Sequence, residues 1–128
     1  MIRRSDPASL IDGAALRRTI LVGTPLQMLT ATLGHFSGFL ATHEIGFLFA
    51  CMMISATVGY LYARDVATGY VRGAYGGAIA GGVCGLVGIA VCVPLGDMSL
   101  NVLILRSLIC VFTGAVGGIY GQLAADWR

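Results

Sequence analysis

Hydrophobic and polar positions do not alternate along most of this chain, because long apolar stretches follow one another with short polar breaks between them. Four stretches have the length of a membrane span, and they cover residues 19–41, 45–63, 73–95 and 100–124. A helix needs about 20 mostly apolar residues to cross the hydrocarbon core of a bilayer. The pattern therefore predicts an all-α integral membrane protein, with four transmembrane helices in the single domain 1–128.

The polar breaks are short enough to predict how the spans are connected. Three residues separate the first two spans, nine separate the second and third, and four separate the third and fourth. Connections of this length join antiparallel neighbours, so we expect two tandem helical hairpins. Two similar stretches, TVGYLY at 57–62 and AVGGIY at 115–120, indicate a parallel internal repeat.

Residues 1–18 precede the first span as a cytoplasmic leader. No small-residue cleavage site follows that span, so we expect it to be retained and not removed as a signal peptide. Ser5, Asp6 and Pro7 have the order of a helix start, with a capping side chain before proline. The leader would form either a short helix on the membrane surface or a disordered tail.

The placement of the arginines predicts the orientation of the spans. Seven of the eight arginines lie in the leader, in the loop of residues 64–72 or at the C-terminus. Cytoplasmic loops of membrane proteins carry an excess of basic residues, so we expect both termini on the cytoplasmic side of a bacterial-type inner membrane. All five tyrosines and Trp127 lie towards the same end of the spans, as in an interfacial aromatic belt.

The composition supports the membrane interpretation and excludes several classes of function. The chain is 57% hydrophobic and 11% charged, with a mean hydropathy of +0.86, whereas a soluble domain is about 25% charged. The net charge of +2 is too small to favour nucleic acid as a partner. The chain has no lysine, so it has no phosphate-binding loop of the kind that ends in Gly-Lys-Ser/Thr. We expect no nucleotide.

Glycine is frequent in the apolar stretches, and in the third span it recurs at every fourth position. In lipid, small residues let helix backbones approach closely, so these stripes predict a Gly-rich bundle of the glycine-zipper type. The alternative is that the stripes line a pore. The helices of one chain need few glycine stripes to pack against one another, so the number of stripes favours a homo-oligomer. The glycines expected to pack against another helix are Gly34, Gly38, Gly59, Gly73, Gly77, Gly81, Gly85, Gly114 and Gly118.

Polar residues within the spans are candidates for a solute path, because ionisable side chains in a membrane are costly and usually functional. The candidate residues are Gln27, His35, Arg106, Glu44 and Asp97. Helical rise places His35 and Arg106 at similar depths below the non-cytoplasmic surface, where they could line a vestibule. The arginine would favour an anion or pair with Asp97, and the histidine could carry protons. Alternatively, Arg106 extends to the interface and His35 bonds a backbone carbonyl.

The remaining reactive side chains do not form a recognisable catalytic or metal site. The four cysteines all lie within spans and show no Cys-x-x-Cys pairing, so they are expected to fill space as small apolar residues. We therefore expect no catalytic residue, no metal and no cofactor, and we do not expect an enzyme.

Two functions agree with these features. The leading hypothesis is a small homo-oligomeric channel or carrier for a small solute or ion, with its polar vestibule on the non-cytoplasmic side. The alternative is a non-transporting accessory or assembly subunit, which docks onto a larger membrane complex through its Gly-rich helix faces. In both cases the lipid bilayer is the first partner of the chain.

Overall fold

The part of the chain that the structure describes folds into four α-helices. The computed structural model describes residues 10–38, 43–66, 69–96 and 98–127, and this part of the chain contains no strand. The helices are α1 (Gly13–Phe36), α2 (Glu44–Val66), α3 (Tyr70–Ala90) and α4 (Leu100–Asp126). Helices α2, α3 and α4 are each long and apolar enough to cross a membrane. The all-helical class and three membrane-spanning candidates are thus confirmed.

Helix α1 is displaced along the chain relative to its predicted span. It begins at Gly13, because the Asp12 carboxylate caps it by accepting hydrogen bonds from the backbone N–H groups of Ala14 and Ala15 at 2.9 and 3.1 Å. Residues 13–18, which the hydropathy pattern assigned to the leader, therefore belong to this helix. The predicted helix start at residues 5–7 lies outside the described residues.

Two helices end earlier than predicted for local reasons. Helix α1 ends at Phe36, shortly before Gly38, which has a φ of +64°; this left-handed conformation is typical of helix ends and favours glycine. Helix α3 ends at Ala90, and turns follow over residues 91–96. Pro94 lies in this segment, where it cannot donate a helical hydrogen bond.

The helices alternate in direction, and their packing order follows from the contacts between them. The α1 N-terminus lies beside the α2 C-terminus, where the Asp12 N–H donates to the Tyr62 hydroxyl at 3.1 Å. Helix α4 packs against α2 and α3. Helix α1 also packs against α2 and α3, but not at the surface that α4 covers. In the described residues α1 and α4 do not pack against each other. Helices α2, α3 and α4 therefore form a central trio, with α1 added to it.

Glycine contacts bring the backbones of α2, α3 and α4 together. A Cβ atom on Gly59 would meet the Gly114 carbonyl group, and one on Gly118 would meet the Gly73 carbonyl group. For seven of the nine glycines expected to pack, an atom of another helix lies where the Cβ atom would be. These are Gly59, Gly73, Gly77, Gly81, Gly85, Gly114 and Gly118. Gly117 and Gly121 make similar contacts with the α2 backbone. All these contacts lie within one chain.

The other two predicted packing glycines lie in α1 and just after it. Gly34 is buried in the last part of α1. Gly38 is exposed, and no atom of the described residues lies within 4 Å of the place where its Cβ would be. Gly38 therefore makes no helix contact within the described part of the chain, because α1 has already ended at this point and the glycine belongs to the turn.

Helix α1 contacts the trio mainly through side chains. The space beside Gly23 of α1 is filled by the side chains of Val58 and Cys84, and the space beside Gly88 of α3 is filled by the Gln27 side chain. Side chains can change rotamer, whereas backbone in a helix cannot give way without moving the helix. The attachment of α1 is thus the more adjustable part of the bundle.

Adding a methyl group at the centre of the trio should destabilise the fold. In Gly114→Ala the new Cβ would meet the Gly77 carbonyl oxygen, and we expect a loss of about 1–3 kcal/mol from overpacking. Gly13→Ala is the matched control, because nothing lies within 4 Å of its Cβ position and alanine favours helix. Thermal unfolding in detergent, followed by circular dichroism, measures both. Equal melting temperatures would contradict the packing interpretation.

Candidate functional site

The polar side chains of interest lie in one half of the bundle. One end of the bundle holds the last turn of α1, the first turn of α2 and the first two turns of α4, and we call it the outer end. We call the opposite end the inner end. Glu44, Arg106 and His35 lie at the outer end, and Gln27 lies towards the middle. Asp97 lies outside the described residues.

Arg106 lies between a carboxylate and an aromatic ring of α2. Its guanidinium nitrogen is 3.9 Å from the Glu44 carboxylate, and its Cζ is 5.6 Å from the centroid of the Phe47 ring. Glu44 and Phe47 are one helical turn apart, so both can face the same partner. The Arg106 side chain is 13% exposed and that of Glu44 is 77% exposed. Ion pairs with such an exposed partner contribute about 1 kcal/mol or less.

His35 is at the outer end but on the other side of the bundle from Arg106. It is half-buried in the last turn of α1 and makes an edge-to-face contact with Phe36, with ring centroids 5.4 Å apart. In the described residues α1 and α4 do not pack against each other, and both pack against α2 and α3, so these two helices lie between the ones that carry the two basic side chains. Arg106 pairs with Glu44, whereas its predicted partner Asp97 lies outside the described residues.

Gln27 links α1 to the trio through its carboxamide nitrogen. This Nε2 atom donates to the Cys51 carbonyl oxygen at 3.3 Å and to the Ser55 hydroxyl at 3.2 Å. The Ser55 hydroxyl donates in turn to the Gly81 carbonyl oxygen at 3.4 Å. Three helices are thus joined by one short polar chain in the middle of the bundle.

The other end of the Gln27 carboxamide is unsatisfied. The residue is 1% exposed, and its Oε1 atom has no hydrogen-bond partner in the described part of the chain. A buried acceptor without a partner costs about 1–3 kcal/mol of stability. An apolar side chain at position 27 would avoid this cost, because it would bury no acceptor.

A seam of polar and small side chains connects the outer end with this central group. Its members are spaced by three or four residues, so each set lies along one side of its helix. The α2 side of the seam is formed by Glu44, Phe47, Cys51 and Ser55, and the α4 side by Arg106, Cys110 and Gly114. Members of both sides share one buried cluster. Charged groups lie at the outer end of the seam, and neutral polar groups lie at its inner end.

A cavity of about 310 Å³ lies beside this seam, between the outer halves of α1 and α2. It is lined by Thr30, Leu33, Gly34, Ser37, Gly46, Phe47 and Ala50. The Thr30 hydroxyl donates to the Leu26 carbonyl oxygen at 2.8 Å, and the Ser37 hydroxyl donates to that of Gly34 at 3.3 Å. Because the Thr30 hydroxyl hydrogen is used within α1, its oxygen offers a lone pair to an occupant of the cavity.

A larger cavity of about 570 Å³ lies on the outside of α3 and α4. Its wall is almost wholly apolar, with residues such as Ile79, Leu86 and Leu108, and Ser107 is the polar exception among the aliphatic side chains. The Ser107 hydroxyl oxygen is buried and has no partner in the described residues. This cavity faces away from the seam and from α1.

Sequence reasoning missed three residues of this site. Phe47 and Ser55 lie on the same side of α2 as Glu44, and Thr30 lies one turn from Gln27 on α1. The sequence signal for these residues was their helical spacing from Glu44 and Gln27, which were predicted from their polarity. Apolar or weakly polar residues at such spacing are common, so the signal becomes useful only when the facing helix is known.

The described residues contain no group of three His, Cys, Asp or Glu side chains that could hold a metal ion. Cys51, Cys84, Cys92 and Cys110 are buried free thiols. The chemistry that the site offers is hydrogen bonding and ion pairing.

No protein family, curated protein or solved structure gives a significant match to this chain. The function is therefore inferred from the geometry of the site.

Replacing Gln27 by a side chain of similar shape should leave the fold intact. In Gln27→Met the Cys51 carbonyl keeps its place within α2 and Ser55 keeps its bond to Gly81, so no polar partner is orphaned. The unsatisfied Oε1 is removed as well. We expect the free energy of unfolding in detergent to change by less than about 1 kcal/mol. A loss of about 3 kcal/mol or more would show that the two donated hydrogen bonds are structurally essential.

Proposed function

We propose that the protein is a small channel or carrier of a bacterial-type inner membrane, with a polar vestibule at the outer end of the bundle. The observation that carries this proposal is the asymmetry between the two halves. The ion pair of Arg106, the cavity between α1 and α2, and the unsatisfied Gln27 lie in the outer half and the middle. The inner half is joined by contacts between glycine backbones. Such an arrangement fits a solute path that is closed on its inner side.

Helix α1 is part of this proposal as a fourth span. Its 24 residues extend about 36 Å at 1.5 Å per residue, enough to cross a bilayer. Its threonines make it less apolar than the other helices, but Thr30 and Thr32 donate their hydroxyl hydrogens to carbonyl groups one turn earlier in α1. Hydroxyl groups satisfied in this way can face lipid. The four spans would form two tandem hairpins, each of them antiparallel.

The outer end is proposed to face away from the cytoplasm, with both termini on the cytoplasmic side. Arg17 and Arg18 lie in the first turns of α1, and Arg64 and Arg72 lie at the adjoining ends of α2 and α3. These four basic residues therefore lie at the inner end. The positive-inside rule favours that end for the cytoplasm.

Reporter fusions test α1 as a span and the orientation together. We expect alkaline phosphatase fused after His43 to be active, because this connection would lie outside the cytoplasm. Green fluorescent protein fused to the C-terminus should fluoresce, because that terminus would lie inside. Fluorescence of green fluorescent protein fused after His43 would contradict the proposal, since α1 would then not cross the membrane.

A homo-oligomer remains part of the proposal, but the glycines of the trio do not supply its interface. Their contacts are made within the chain. Copies would associate through the outward-facing side chains, which include large apolar residues such as Leu21, Phe112 and Ile45. Contacts between copies in lipid would then rest on side-chain packing.

Flux through the purified protein tests the transport proposal. Proteoliposomes should pass at least one of four probe ions: proton, ammonium, potassium or chloride. We expect Arg106→Leu to change the rate at least about tenfold, equivalent to 1.4 kcal/mol in the barrier, because it removes the partner of Glu44 and the charge over Phe47. Leu105→Ala is the matched control, since Leu105 is exposed on the same turn of α4.

An accessory subunit is the second candidate function. The observation that favours it is the apolar cavity on the outside of α3 and α4, where an apolar segment of a larger membrane protein could pack. Co-purification with one such protein at a fixed ratio, together with flux no higher than in protein-free liposomes for all four ions, would favour the accessory subunit over transport.

A further inference from the structure

We propose that the cavity on the outside of α3 and α4 binds an elongated, neutral apolar molecule that carries one hydrogen-bonding oxygen near its end, such as a long-chain alcohol or ketone dissolved in the bilayer. This inference goes beyond the proposed function, because the cavity is not part of the vestibule. Three observations carry it: the size and lining of the cavity, the unsatisfied Ser107 hydroxyl in its wall, and the place of this hydroxyl along the cavity.

The cavity has the size and composition of a small-molecule site. Its volume of about 570 Å³ lies within the range of about 300–1,000 Å³ that is typical of ligand pockets, which are mostly apolar with a few polar groups. Two small residues of α3, Ala78 and Gly82, line it and leave space that larger side chains would fill. The Val111 side chain of α4 lies where Gly82 would carry a Cβ atom. Both helices therefore form the wall, and an occupant is held between them.

The Ser107 hydroxyl lacks the partner that other hydroxyl groups of this bundle have. Thr57 of α2 and Thr113 of α4 each donate to the carbonyl oxygen one turn earlier, at 2.8 and 3.0 Å. Ser107 is 9% exposed, and its hydroxyl oxygen is buried without a partner in the described part of the chain. Rotation about χ1 turns a serine hydroxyl without moving the helix, so this group can be directed into the cavity that its residue lines. An occupant that bonds to it removes the cost of an unpaired buried group.

The depth of Ser107 in the bilayer excludes a phospholipid chain as the partner of this hydroxyl. The 27 residues of α4 extend about 40 Å, so roughly 5 Å at each end lies outside a hydrocarbon core of about 30 Å. Ser107 is seven residues after Leu100, the first residue of α4, or about 10 Å along the helix. It therefore lies within the core, where phospholipid chains carry no hydrogen-bonding atom. An occupant that satisfies the hydroxyl must bring its own oxygen to this depth.

The lining indicates that the occupant is neutral. Apart from Ser107 and Tyr75, the residues that line the cavity are aliphatic or glycine, and none of these described residues is charged. An ion would lose its hydration here without a paired charge in return. A serine hydroxyl both donates and accepts hydrogen bonds, so it can bond to the oxygen of an alcohol or of a ketone.

The cavity is elongated along the helices, and its hydroxyl lies towards the outer end. Cys110 of α4 fills the space beside Gly85 of α3, and the two helices are antiparallel. Ser107 and Leu86 therefore both lie on the outer side of this contact. From Leu86 the α3 part of the lining runs inwards to Tyr75, a distance of 11 residues or about 16 Å. The oxygen of the occupant would lie at Ser107, and its apolar chain would extend from there towards the inner end.

Photoaffinity labelling of the full chain in phosphatidylcholine nanodiscs tests the inference. The probe is a long-chain alcohol with a diazirine group in its chain, and unlabelled tetradecanol or tetradecane competes with it. We expect the labelled residues to lie within 75–86 and 104–111. Tetradecanol should compete at least about tenfold better than tetradecane, because the alkane has the same chain but cannot bond to Ser107.

Three variants locate the effect. Ser107→Ala should abolish the preference for the alcohol and keep the labelling, because the cavity stays open. Ala78→Leu should lower the labelling at least about fivefold, because the larger side chain fills the cavity; it tests the site even if Ser107→Ala does not fold. Thr57→Val is the matched control, since it removes an exposed hydroxyl of α2 outside the cavity, and it should behave like the unmodified chain.

Equal competition by tetradecanol and tetradecane would overturn the inference and indicate a phospholipid chain as the occupant. A preference that persists in folded Ser107→Ala, or labelling that persists in Ala78→Leu, would also overturn it. Protection of the cavity by a co-purified membrane protein would assign this surface to the accessory-subunit contact instead. The transport proposal is decided separately, by the flux of the four probe ions.

Discussion

Contact between helix backbones is the constraint on which the rest of this structure depends. Apolar side chains gain little by leaving lipid for one another, so helices in a membrane associate through close packing and hydrogen bonds. Here the Gly114 carbonyl occupies the place where Gly59 would carry a side chain, and Gly77 and Gly81 approach the same residue from α3. Three helices thus meet near one glycine of α4. A side chain at any of these glycines would clash with the backbone of another helix, so the trio depends on their small size.

The fourth helix is bound by different means, and this difference creates the candidate site. Helix α1 meets the trio mainly through the side chains of Gln27, Val58 and Cys84. A cavity remains between the outer halves of α1 and α2. The lining of this cavity includes the small residues Gly34, Gly46 and Ala50, so few side-chain atoms fill the space between the two helices.

The number and class of the helices could be predicted from the lengths of the apolar stretches, because a bilayer sets a minimum length. The ends of α1 and α3 could not, since they depend on the Asp12 cap and on turns around Gly38 and Pro94, which hydropathy does not register. The glycine stripes predicted close packing but not which helices meet, because similar stripes occur on three helices. The depth of Arg106 indicated a polar end. Its pairing with Glu44 depends on the α2–α4 packing, which no local pattern contains.

The two ends of the bundle also differ in how completely their polar groups are satisfied. At the inner end the Tyr62 hydroxyl accepts from the Asp12 N–H, and Gln122 accepts from the Gly69 N–H while donating to Asp126. In the outer half the Arg106 ion pair is 3.9 Å long, and Gln27 keeps an empty acceptor. Satisfied polar networks make a structure rigid, whereas an unsatisfied one favours any state that supplies the missing partner. Local opening begins where contacts are weakest. A conformational change in this protein should therefore start in the outer half, where α1 meets the trio mainly through side chains.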